Sequence, residues 1–233
     1  MIVPLVAANW LIPPGFPLLL RQIALCAWGV GAIFVCERLL FSATARDAFR
    51  AMGFVRARGP AVFVALLVSV PMWIFLPVYA RLHGVPIALQ PEWPALLAGV
   101  ILVNGLAEEI IHRAFVFGHL REARSFAVAA TLSTLIFAAQ HVSLIFIVGW
   151  TSGLASVLLA ALLTFPMAYL FERGGNSIVG PAILHTNTNA PMITLLLPAD
   201  VIAAALVPYM GAILLSLYGV FGFRGFLASR SSR

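Results

Sequence analysis

Long apolar runs, almost free of charge, decide what this chain can fold into. Seven stretches, roughly 22–41, 60–80, 95–119, 126–142, 152–171, 177–197 and 201–222, each come close to the 20 or so mostly apolar residues that a membrane-crossing helix needs. The runs are continuous rather than alternating, which excludes a transmembrane β-barrel. Of the 233 residues, 62% are hydrophobic and 9% are charged, against about 25% charged in soluble domains. A soluble fold of this size could not hide that much apolar surface. The expected fold class is all-α, a polytopic transmembrane helical bundle of about seven spans.

The first twenty residues, MIVPLVAANWLIPPGFPLLL, are an eighth candidate span. They hold four prolines, and Pro13 and Pro14 would break a helix. They also lack the charged start of a signal peptide, so an interfacial or re-entrant segment is expected. Cys26 and Cys36 share one apolar run and would lie about 15 Å apart along a helix, too far to pair. Four segments are expected along the chain. Residues 1–21 are the proline-rich start, and 22–94 are membrane helices with a basic loop. A membrane core follows at 95–197, then a last helix with a basic tail at 198–233.

The formal net charge is +6, and every basic residue is arginine. A basic chain can be a nucleic-acid binder, but these arginines follow the spans. With seven alternating spans, Arg46, Arg50, Arg56, Arg58, Arg121, Arg124, Arg173, Arg224, Arg230 and Arg233 share one side. Only Arg21 and Arg81 fall on the other. The positive-inside rule then predicts a multi-pass protein of the cell membrane with a cytoplasmic C-terminus, the lipid bilayer as its surroundings and no nucleic-acid partner.

Three spans carry polar residues that lipid cannot satisfy. ILVNGLAEEIIHRAFVFGHL, residues 101–120, holds Glu108, Glu109, His112 and Arg113. A charge at the bilayer centre costs at least about 2.5–3.5 kcal/mol. FAAQH places Phe137 and His141 four apart, and HTNTN does the same for His185 and Asn189. Residues at i and i+4 lie on one helix face, so each span presents its polar pair in one direction, toward the bundle interior. From the expected inner span ends, Glu108 lies at a depth of about 16 Å, His141 about 23 Å, His185 about 12 Å and Asn189 about 18 Å. Given the uncertainty of span boundaries, the four could meet at one level.

The Glu109–Arg113 pair can neutralise itself, which leaves Glu108 over. His112 and His119 read as satisfied core histidines. A buried carboxylate can serve as general base, a histidine beside it can polarise water, and a second histidine with an asparagine can stabilise an oxyanion. These are parts for hydrolysing an acyl bond without a covalent nucleophile. The chain has neither a GxSxG elbow nor the zinc signature HExxH. A carboxylate and two histidines are also a zinc-ligand set, so residue types alone leave a metal open.

EEIIHR has the form EExxxR, FAAQH the form FxxxH and HTNTN the form HxxxN. In that order, each within a span, they resemble the CPBP family of intramembrane proteases, the CAAX prenyl endopeptidases and their bacterial relatives, also called Abi proteins. The resemblance covers roughly residues 95–197. It implies an intramembrane glutamic endopeptidase without cofactor or metal. Glu108 would activate water with His141, and His185 and Asn189 would stabilise the oxyanion. Glu109 and Arg113 would orient the site, with Phe137 packing against it. The implied partner is a membrane-anchored peptide or protein substrate. An arginine-only composition fits a GC-rich bacterial genome, where prenylation is not expected, and favours a C-terminal sorting tail or leader over a lipidated tail. Two other readings use the same residues: a proton- or ion-relay transporter, and a non-catalytic immunity or scaffold protein with the polar cluster as internal glue.

Overall fold

The computed structural model describes residues 12–228 apart from residue 14. Most of the expected proline-rich start, and Arg230 and Arg233 of the tail, lie outside the described residues. The rest is helical. Helix α1 spans Leu18–Leu40, α2 Ala45–Ala51 and α3 Gly59–Leu82. A long helix, α4, covers Trp93–Ala123. Then come α5 (Phe126–His141), α6 (Ser143–Ile147), α7 (Trp150–Arg173), α8 (Val179–Thr194) and α9 (Ala199–Gly219). The last of these runs on through a 3₁₀ turn to residue 228. Local chemistry sets the starts. The Thr44 hydroxyl accepts from the Asp47 N–H, and that of Ser125 from the Val128 N–H, each closing a bare helix N-terminus. Helices α3 and α4 begin with proline in the first turn, where no N–H is needed.

Six helices are long and apolar enough to cross a membrane. The seventh expected span, α8, has 16 residues, fewer than the usual 20. It nevertheless runs between the two ends of the bundle. At one end the chain before it is bound to the loop ahead of α3: the Arg58 N–H donates to the Gly174 carbonyl (3.1 Å) and the Ile178 N–H to that of Gly53 (3.2 Å). Arg121 pairs with Glu172 at 2.9 Å at the same end, and the Phe63 and Phe226 rings meet edge-on there at 6.0 Å. At the other end, Leu195–Leu196 pair antiparallel with Ala88–Leu89. Arg58, Arg121 and Arg173 therefore gather at one end, as the alternation of spans predicts, with Arg81 at the other.

Two apolar cores hold the bundle. One joins α3, α7, α8 and α9 through Met72, Leu76, Met167, Leu184 and Tyr209. The other joins α1, α2, α4, α5 and α7 through Ile33, Met52, Ile110, Ala130 and Phe171. The outer surface is as apolar as the inside: Leu215 is 81% exposed and Phe146 85%. In water that surface would aggregate; in lipid it is solvated. Gly153 packs closely, because a Cβ on it would run into the Ile145 backbone, whereas Gly149 has open space around it. Cys26 and Cys36 form no disulfide.

Candidate active site

All three polar-bearing spans converge, and the helix carrying the acidic pair has an unusual backbone. Within α4, residues Val100–Glu108 and Ile110–Phe117 are π-helical, with N–H groups reaching five residues back, as from Gly118 to Arg113. Such windings are rare and concentrate at functional sites. Helix α4 packs against α8 at Gly105, where a Cβ would collide with the Thr186 hydroxyl and sit 3.1 Å from the Ala182 carbonyl oxygen. Gly105→Val should force the two helices apart. We expect a lower melting temperature and loss of any activity together; a variant as stable and active as wild type would show that this contact does not set the site.

The two adjacent glutamates have different surroundings. Glu109 is fully buried between a cation and an imidazole. One oxygen faces the Arg113 Nε at 3.1 Å and the other accepts from His185 Nδ1 at 2.7 Å. Arg113 is itself buried, lying 4.7 Å from the centre of the Phe137 ring and donating to the Met167 sulfur at 2.9 Å. Glu108 keeps a side chain 13% exposed. Its Oε1 accepts from the Asn104 carboxamide at 2.9 Å. Its Oε2 has no hydrogen-bond partner among the described residues and faces His185 Nε2 at 3.8 Å. The His185 ring thus stands between both carboxylates.

Phe137 is the hub of the site. His141 packs on it with ring centres 4.7 Å apart, His185 edge-on at 6.0 Å, and His112 at 4.4 Å. His141 Nδ1 lies 2.8 Å from the Phe137 carbonyl oxygen. A carbonyl only accepts, so Nδ1 carries the proton and Nε2 keeps a lone pair. Asn189 is placed differently from the rest. Its carboxamide donates at 3.4 Å to the His185 carbonyl of its own helix, and its side chain lines a cavity of about 180 Å³ between α7, α8 and α9. The structure therefore brings Glu108, Glu109, Arg113, Phe137, His141 and His185 together and leaves Asn189 at the margin.

Two histidines expected to be satisfied core residues turn out differently. His119 is satisfied, 2.8 Å from Glu37 and stacked on Phe41. His112 is fully buried, yet neither ring nitrogen makes a bond of full hydrogen-bond geometry among the described residues. It belongs to the site, and its i+4 spacing from Glu108 was the signal. Asn104, four residues before Glu108, carried the same signal. Among the described residues no group of three His, Cys, Asp or Glu side chains could hold a metal ion.

Fold and site together define a polytopic membrane protein with a carboxylate–imidazole cluster sealed inside its helical bundle. Residues 90–191, which hold all three polar-bearing helices, match the family described as type II CAAX prenyl endopeptidase Rce1-like. Over that segment, less than half of its length, the chain is similar to CAAX-type intramembrane proteases. No curated protein and no solved structure matches it significantly.

Proposed function

We propose that the chain is an intramembrane glutamic endopeptidase that cuts a membrane-associated peptide with water activated by Glu108 and His141. The observation that carries this reading is the division of labour between the two glutamates. Glu109 is fully buried and held by the Arg113 charge and the His185 ring. Glu108 sits on the partly exposed edge of the cluster, and among the described residues its free oxygen has no cation within ion-pair distance except the His185 ring at 3.8 Å. A water held between that oxygen and His141 Nε2 would give up a proton to Glu108 as its oxygen attacks the scissile carbonyl. The protonated Glu108 then returns the proton to the leaving amine. His185, whose Nδ1–H donates to Glu109, turns Nε2 toward the same space and supports the developing negative charge in its doubly protonated form, when Nε2 also carries a proton. Asn189 joins the oxyanion side only if its carboxamide turns away from the His185 carbonyl.

An apolar groove of about 730 Å³ between α3, α4 and α8 supports a substrate that arrives from the lipid. It is lined by Leu66, Ile101, Leu106, Ile183, Thr186 and Asn187, the last two directly following His185 in sequence. The arginine-rich end, including Arg58, Arg121 and Arg173, would face the cytoplasm, with the C-terminus on that side. The substrate we favour is a sorting tail or leader.

The reading is tested by expressing wild type and Glu108→Ala in a host lacking the gene and comparing the masses of membrane-anchored peptides and protein tails. A product formed only with wild type supports proteolysis and locates the cut. Identical profiles from two well-inserted proteins count against it.

A further inference from the structure

We propose that His112 is a positioning residue of this site, holding the end of α5, and with it His141, at the working distance from Glu108. The inference rests on the hydrolytic reading above and adds a residue to it.

The side-chain hydrogen bond of His141 goes to its own helix, at the Phe137 carbonyl. That bond fixes its tautomer, but it does nothing to set its place against the helix carrying Glu108. Besides Arg113 over the Phe137 ring and the Phe117–Phe126 ring pair, the contacts that can do so converge on one residue of α4. The Phe137 ring packs on the His112 ring at 4.4 Å. The Ser133 hydroxyl donates to the His112 carbonyl at 3.2 Å. The Gln140 side chain, one residue before His141, lies next to the His112 imidazole. Successive turns of α5, at residues 133, 137 and 140, thus rest on His112.

The chemistry of the position supports the assignment. His112 is fully buried. Among the described residues, its ring nitrogens and the Gln140 carboxamide oxygen make no bond of full hydrogen-bond geometry, and the side-chain hydrogen bond between Gln140 and the imidazole is a loose one. Burying polar groups in that state is costly. A residue that only filled space beside Phe137 would do better as phenylalanine, which keeps the ring contact and loses the cost. A neutral imidazole offers one donor and one acceptor, and a carboxamide offers both. The pair is chemically complementary, and its site is the joint between the helix bearing the base and the helix bearing its histidine partner.

The test uses the full-length, purified chain and, as probe, the membrane-anchored peptide whose cleavage the co-expression comparison identifies. His112→Phe should lower kcat about 10- to 100-fold, the loss expected from misplacing a catalytic group by a fraction of an ångström to 1 Å. KM should stay within about 2-fold, and the melting temperature should be unchanged or higher. His112→Gln, which restores a group able to bond Gln140, should recover part of kcat. Wild-type kcat in His112→Phe overturns the proposal. So does a loss of kcat that tracks a fall in melting temperature and is not eased in His112→Gln, because that pattern is purely structural. Glu108→Ala is measured alongside: cleavage that survives it removes the hydrolytic reading itself, whereas cleavage lost in Glu108→Ala but intact in His112→Phe removes only the role of His112.

Discussion

Glu108→Gln is expected to lower turnover by about 10²–10⁴-fold, the range for loss of a general base, while the protein inserts and melts like wild type. The substitution is close to isosteric, and the new carboxamide oxygen can still accept from Asn104, as Glu108 Oε1 does at 2.9 Å. What disappears is an oxygen able to take a proton from water. The side chain stands at the partly exposed edge of the cluster and neutralises no buried cation directly, so the fold has little reason to respond. Glu109→Gln should behave differently, because Glu109 is the counter-charge of a fully buried arginine. Single-turnover cleavage and a melting curve in the same detergent separate the two. A Glu108→Gln enzyme with wild-type turnover would sink the assignment of the base.

The second large effect concerns Arg113. Arg113→Met removes one member of an ion pair in which both side chains are 0% exposed, so solvent cannot screen the charge left behind. Breaking such a pair costs about 3–5 kcal/mol, whereas replacing both members can be neutral or stabilising. Arg113→Met alone should therefore melt well below wild type, and the double variant Glu109→Gln/Arg113→Met should recover most of the loss, since residue 109 can still accept from His185 Nδ1. Both should be poorly active, because in the single variant Glu109 loses its counter-charge and in the double variant His185 loses its carboxylate anchor. A single variant no less stable than the double would mean that the pair is not the internal brace its geometry describes.

The sequence made the bundle legible because membrane solvation leaves so few options. Continuous apolar runs can only be helices, and arginines sort to one end. The i, i+4 spacing was equally informative: Glu109 meets Arg113 and Phe137 meets His141 as that period requires. What escaped was whatever depends on packing between helices. The π-helical winding of α4 leaves no mark in hydropathy, since it is held by neighbours such as α8 at Gly105. The place of His112 in the site could not be told from that of His119, because both are lone histidines in apolar surroundings. What separates them is the neighbour each meets across the bundle, Glu37 beside His119 and Phe137 with Gln140 beside His112. Asn189 has the spacing of a site residue, yet its carboxamide is spent on its own backbone.

The bond from His185 to Glu109 also dictates an order of events while the protein is being made. Helix α4 emerges from the ribosome long before α8, carrying two acids and one base into the bilayer, a combination with a net negative charge until other helices surround it. A nascent chain that stops short of residue 185 has the presumptive base but lacks the imidazole that completes the cluster. The cutting centre is thus assembled only when the second-to-last helix docks. The protein being synthesised, and its neighbours in the membrane, are spared an active protease until the bundle has closed.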